Sequence, residues 1–304
     1  MIRTVLILIF TIIVVPLIAY KYGAPLTDLQ EETLKVLVYT CLGIALAGFV
    51  TAELSKNYSQ TDKLWSLTPI LFSWIAVVYS DWNPRMILIA IPVTIWGLRL
   101  SYNFYRRGGY SIKFWEGEED YRWSILQEKE PFNKKWVYTL FNLFFISLYQ
   151  HFLILLFTLP IILSMENTDI GFFDVILALM ILGLVYMETV ADQQQYDYQT
   201  EKYKRINNNE KLEGIYAKGF THTGLWAIMR HPNYAAEQAI WIVFYGFSVT
   251  ATGEIINWSI IGALLLVVLF KSSSDFSEGI SEKKYPEYSK YQASVGRFIP
   301  KLKP

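Results

Sequence analysis

Cysteine is almost missing from this chain: Cys41 is the single thiol in 304 residues. A lone thiol makes no internal disulfide, and no Cys/His spacing resembles a zinc site. Cys41 sits inside an apolar run, where a small buried apolar residue is its simplest role. Charge is scarce as well. Asp, Glu, Lys and Arg make up 18% of the chain, and 27 basic residues balance 27 acidic ones. The total therefore points to neither nucleic acid nor an acidic partner. No GxGxxG and no GxxxxGK[ST] occurs, so nothing supports a Rossmann or P-loop nucleotide site. Internal repeats and low-complexity tracts are absent too.

What is present is apolar: 53% of residues are hydrophobic and 16% aromatic. A bilayer span takes about 20 such residues, and runs near that length recur. They cover Thr4–Tyr20, Leu34–Leu54, Leu64–Ser80, Arg85–Tyr105, Val137–Leu163, Phe172–Tyr196, Tyr234–Thr250 and Ile255–Phe270. The reading is an all-α polytopic membrane bundle of about eight spans. The first run has the alternative of a signal sequence, but "VPLIAYKYGAPLT" lacks a small-x-small cleavage site, which favours a retained helix. Residues 1–33 form that extra helix and its loop; residues 34–304 form one membrane domain.

Basic residues crowd into loops 106–135 and 197–233 and the tail 271–304, whereas "SMENTDIG" and "TGE" have none. The positive-inside rule then places those loops and both termini in the cytoplasm. Lys21 and Arg85 dissent by falling outside. Within the loops, the polar, Gly-punctuated "NNNEKLEGIYAKG" reads as the most flexible stretch.

Polar groups at span ends carry the functional signal, because ionisable residues in lipid are costly and face the bundle interior or a cavity. Asp62, in "SQTDKLWSLTP", opens one span; it is a catalytic acid or simply a helix N-cap. Arg99, Asn103 and Arg106 follow at i, i+4, i+7 and share one helical face. Such a stripe suits a phosphate-bearing ligand. Arg106 and Arg107 are equally a snorkelling pair that sets orientation, and Arg99 a salt-bridge partner. Glu188, Asp192, Gln195 and Gln199 form a second stripe, able to accept from ribose hydroxyls; its plain alternative is a solvated helix extension. Lastly, in "IMRHPNYAAEQAIW", Pro232 suits a first helical turn. Asn233 and Glu237 then stack at i and i+4. Asn can donate to a carboxamide C=O, and Glu can accept from its NH2. Arg230, His231 and Tyr234 flank this pair, and the helix N-terminus favours negative charge. A cofactor site at the cytoplasmic mouth of a cavity is the sharper reading, a well-capped helix start the blander one.

"GLWAIMRHPNYAAE" resembles the C-terminal signature of the steroid 5-alpha-reductase family, most closely its bacterial DUF1295 branch. "ETVADQQQYDYQ", "EEDYRW" and "KKYPEYSKYQASVGRFIP" are similar to that branch too, and the resemblance covers roughly residues 34 to 304. It implies a seven-helix core plus the extra helix, an NADPH site, and a lipid-accessible cavity for a steroid-like enone. Carried over, Asn233 and Glu237 match the nicotinamide pair, Arg99 and Arg106 or Arg107 the phosphate arginines, and Asp192 the ribose and adenine side. Asp62 falls where the catalytic glutamate stands. Departures are visible: Thr61 replaces the glutamine beside the acid, and Trp96 stands where the catalytic tyrosine would fall. The tail reads "SSSDFSEGISEKK" where the family is rich in histidine and arginine. The acid is then Asp62 alone or with Tyr102. The fold also resembles S-adenosylmethionine-dependent membrane methyltransferases, which share "RHPxY" and a C-terminal glutamate; Glu282 would take that part. A non-enzymatic membrane scaffold or transporter is the third reading. The resemblance implies a bacterial inner membrane, a lipophilic substrate, membrane lipid and no nucleic acid. Oligomeric state stays open.

Overall fold

The computed structural model describes residues 10–301. The Thr4–Ile9 part of the first expected span, and Lys303 of the basic tail, lie outside the described residues. Helices dominate, and no strand occurs among the described residues; a lone parallel bridge joins Met229 and Gly296. In chain order the helices are α1 Val15–Tyr22, α2 Asp28–Ser55, α3 Gln60–Trp65, α4 Leu67–Tyr79, α5 Pro84–Tyr105 and α6 Tyr121–Gln127. There follow α7 Lys135–Leu163, α8 Phe172–Asn207, α9 Pro232–Thr252, α10 Ile261–Lys284 and α11 Tyr288–Ser294.

Five of these, α2, α5, α7, α8 and α10 (with its lead-in from Trp258), are long and apolar enough to cross a bilayer. The chain is therefore a multi-pass membrane protein. Two expected spans fall short of that mark. The run Leu64–Ser80 breaks at Ser66 into α3 and a 13-residue α4, about 20 Å long against a hydrocarbon core of about 30 Å. Helix α9 has 21 residues, but Asn233, Glu237 and Gln238 dilute its apolar character.

The chain divides into two compact units. The first holds residues up to Leu179 together with Ile242–Leu265; the second holds Met180–Trp241 and the chain from Leu266 onward.

In the first unit α7 is the central helix. Of its most apolar window 89% is buried, against 28% for α2 and 39% for α5. Helix α2 starts with a capping box, in which Thr27 and Gln30 satisfy each other's backbone N–H. It turns small buried residues inward at Cys41, Ala45, Gly48 and Ala52, while Tyr39, Leu46, Val50 and Leu54 point out. Small residues inside and large apolar residues outside is the pattern of lipid-facing helices, where small side chains let backbones approach. Helix α7 contains an eight-residue π segment, Asn142–Tyr149, a form that is rare and often sits at functional sites.

Arg85 lies fully buried at the start of α5. Its guanidinium bonds both oxygens of Asp174 at 2.9 Å, the carbonyls of Ser164 and Phe247, and the Thr250 hydroxyl. The charge that dissented from the positive-inside pattern is thus neutralised by a bidentate partner.

In the second unit the chain leaving α8 folds back through the Gly224–Ala227 turn. Gly224 holds φ +61°, and a Cβ there would lie 2.6 Å from the Gln194 amide. That amide accepts from the Leu225 N–H, and the Trp226 indole donates to the Ala191 carbonyl. Helix α9 then opens at Pro232, the position the sequence indicates.

Candidate functional site

Two polar clusters, one in each unit, and a stripe on α5 hold most of the residues singled out from the sequence.

The cluster of the first unit is built on "NYSQTDK", residues 57 to 63, which grips the loop after α5. Lys63 is fully buried, and its ammonium donates to the carbonyls of Phe114 and Glu116 at 2.7 and 2.6 Å. Gln60 donates to the Trp115 carbonyl, Asn57 to the Gly117 carbonyl, and the Asp120 N–H to Ser59 Oγ. The Tyr58 N–H reaches the Glu119 carboxylate at 2.6 Å. Asp62 lies in the first turn of α3 but does not cap it: Oδ2 accepts from the indole of Trp123 at 2.9 Å. Burial pushes the Asp62 carboxyl above the ordinary aspartate range, opposed by the charge of Arg122 and helped by that of Asp120. Glu119 is raised by burial too. Asp120 moves the other way, since Arg122, which bonds it twice, outweighs its burial. One carboxyl shifted up beside one shifted down is the arrangement that acid–base chemistry uses.

On α5 the stripe forms as its spacing indicates. Asn103 is buried, and its Oδ1 accepts from Arg106 Nε at 2.8 Å. Arg99 is partly buried on the same face, whereas Arg107 is exposed. Tyr102 is 63% exposed, with Arg106 over its ring. Trp96 is fully buried.

The cluster of the second unit joins α8 to the opening of α9. Asp192 is buried and accepts from Asn233 Nδ2 at 3.0 Å, while Asn233 Oδ1 accepts from the Tyr234 N–H. Asn233 thus serves its acidic neighbour and the helix start. Glu237 is buried, and its Oε1 accepts from the Trp241 indole, one turn on, at 3.1 Å. Glu188 is buried on α8 as well, and Gln199 lies partly buried further along that helix. Tyr234 packs between His231 and Phe270, at 5.3 and 4.8 Å between ring centres.

Arg230 and His231 go elsewhere. Arg230 bonds both oxygens of Glu278 and the carbonyls of Gln292 and Val295, and its N–H reaches the Gly296 carbonyl. His231 Nε2 lies 2.8 Å from Glu278 Oε1. Gln292 and Arg297 complete the ring around that carboxylate. Four of the five guanidinium N–H groups are committed to the tail, so Arg230 is a structural clamp in place of the anion ligand its sequence position suggests. Glu278, one turn before Glu282, is the buried tail glutamate; Glu282 only accepts from Ser289 at 3.3 Å near the surface.

Spacing alone did not reveal Trp123, Lys63 or Glu278. Trp123 and Lys63 meet partners 51 or more residues away, and Glu278 meets Arg230 and His231 from 47 or more; no local periodicity reports that.

No group of His, Cys, Asp and Glu suited to a metal ion occurs among the described residues. The second cluster instead offers acceptors, the carboxylates of Glu188, Asp192 and Glu237. They fit a ligand rich in O–H and N–H groups, as a ribose and a carboxamide are.

Residues 48–295 match the family described as protein of unknown function (DUF1295). The chain is 36% identical over 261 residues to an uncharacterized Schizosaccharomyces pombe protein, C594.04c, covering 82% of this chain and 74% of that one. No solved structure matches it. With a match running from the last third of α2 to the end of α11, the chain belongs to the DUF1295 family.

Proposed function

We propose that this protein is a membrane-embedded, NADPH-dependent reductase of the C=C bond of a lipophilic enone. The observation that supports it best is the acceptor set on α8 and α9. Asp192 is oriented by Asn233, Glu237 by Trp241, and both are buried. Asp192 would accept from ribose hydroxyls, and Glu237 from the carboxamide NH2 of a nicotinamide. Arg99, Asn103 and Arg106 form a phosphate-type anion site in their own right. The cofactor, when bound, supplies a hydride. Asp62 would hold the proton that the substrate carbonyl needs as negative charge develops on it. Its burial favours the protonated form, against the pull of Arg122 and of the Trp123 indole. The reading keeps eight spans with cytoplasmic termini and a bacterial inner membrane, although the fission-yeast relative shows that the family is not confined to bacteria.

A second reading has support from the same cluster. Its cations are sequestered by Glu278, so the remaining carboxylates also suit a cationic cofactor such as S-adenosylmethionine, and the protein would then be a lipid or thiol methyltransferase.

Trp241 gives the test. Its indole touches Glu237, so the part of the energy transfer from the ten tryptophans to reduced nicotinamide that Trp241→Phe removes reports binding there. Glu237→Ala should weaken NADPH by at least about tenfold, since a lost hydrogen bond to a charged group is worth about 1.5–3 kcal/mol. Unchanged NADPH affinity in that variant would make the α9 opening a helix start and nothing more.

A further inference from the structure

We propose that His151, inside the first unit, is the acceptor of an internal site for an uncharged O–H donor. The site is independent of any cofactor.

His151 is fully buried on α7, just beyond the π segment. Its Nδ1 lies 2.7 Å from the Ser147 carbonyl oxygen. A carbonyl only accepts, so Nδ1 carries the hydrogen, and the neutral ring leaves its lone pair on Nε2. Nε2 has no hydrogen-bond partner among the described residues. A buried acceptor left unsatisfied is disfavoured, and the ring cannot swing away to find relief. Its Nδ1 bond to Ser147 holds the ring, and the Cys41 thiol, at 3.3 Å from the His151 backbone carbonyl, packs α2 against this turn.

Room for about one methyl group exists near the ring at Cε1. Gly48 supplies that room: a methyl group built on it would sit 3.8 Å from His151 Cε1, the carbon next to Nε2, and 3.7 Å from Leu64 Cδ1. Gly48, Leu64 and Cys41 carry no charge, so the site does not suit an ion. It suits a neutral hydroxyl with an apolar remainder, or a water. The same face of α7 is polar further along. Asn142 donates to Glu53 at 2.9 Å, and the Ser147 hydroxyl reaches Asn142 Oδ1 at 3.5 Å. The π turn places Asn142 and Ser147 five residues apart in line, and His151 ends this polar track before the apolar run 152–157.

The chain has three histidines, so full-length protein labelled with 15N at the imidazoles gives a short spectrum. His151→Phe identifies the resonance. The proposal expects His151 to be neutral, with Nε2 at the shift of a lone pair that accepts a hydrogen bond. If the donor is a lipid alcohol, 1-dodecanol should move Nε2 saturably, and dodecyl methyl ether should not. Gly48→Val, which fills the space, should then weaken that response by at least about tenfold. If the donor is water, the bonded shift should be present without alcohol, with a water cross-peak, and dodecanol should leave it alone. An Nε2 at the free lone-pair position, unmoved by dodecanol and without water contact, would overturn the proposal. So would an imidazolium. These measurements on the unmodified protein decide the matter even if Gly48→Val fails to fold.

Discussion

At Asp62, burial and the charge of Arg122 pull the carboxyl in opposite directions, and burial wins. The consequence is a dependence of stability on pH. The folded chain keeps the Asp62 proton where the unfolded chain, at its ordinary value of 3.8, has lost it. Stability therefore falls as pH rises from that value through the raised one, and levels off above it. Asp62→Asn cannot ionise. Its melting temperature should gain on the wild type across that window and run parallel to it above. Melting curves of both proteins between pH 4 and pH 8 check this; parallel curves throughout would mean that Asp62 ionises normally. The polar character of this segment is readable in "SQTDKLW", where an acid stands before an apolar run. Its partner is not, because Trp123 belongs to a loop whose path is set by Lys63 and Gln60 gripping backbone carbonyls.

Among the elements, two connections carry most of the argument. Helix α5 is tied to the start of α8 by Arg85 and Asp174, both buried. Removing one member leaves an uncompensated charge, at a cost of about 3–5 kcal/mol, whereas replacing both with apolar groups costs far less. Arg85→Met should therefore melt well below the wild type, and Arg85→Met/Asp174→Leu should recover most of the loss. A double variant as unstable as the single would contradict that account of the pair. The other connection is the clip of Lys63 on the loop after α5. With Lys63→Met the Phe114 and Glu116 carbonyls lose their donor, at about 1–3 kcal/mol for groups left unsatisfied. Amide hydrogen exchange over residues 109–123 should rise, with α2 and α7 unaffected; unchanged exchange would show that the loop holds itself. At this scale the sequence is a good guide to long apolar helices such as α2 and α7, whose composition alone marks them. It is a poorer guide to Leu64–Ser80, since a break at Ser66 leaves the hydropathy of the run intact.

For the whole molecule, we propose that the arrangement of charge sets the topology. Basic loops 106–135 and 197–233 imply one side, and the loops around Asn167 and Thr252 the other. Cys41 is buried, so a Cys41→Ala background is clean for labelling. Cysteines at Asn167 and Thr252 should react with an impermeant reagent from outside only; reaction from the cytoplasmic side would sink the eight-span arrangement. The Asn103–Arg106 contact follows a pattern visible in the chain at helical spacing, whereas the Asn233–Asp192 contact joins two helices and is not visible there. The diversion of Arg230 and His231 to Glu278 does not, because a clamp and an anion site look alike until the tail is placed.

The central claim is the cofactor, and the melting temperature of the purified, detergent-solubilised protein tests it most directly. Binding at 100 times the dissociation constant adds about 2.7 kcal/mol, enough to read as a clear upward shift. NADPH should raise the melting temperature more than NADH, and S-adenosylmethionine should leave it unchanged. A shift with S-adenosylmethionine and none with NADPH would contradict the reductase and leave the carboxylates of α8 and α9 to a methyltransferase.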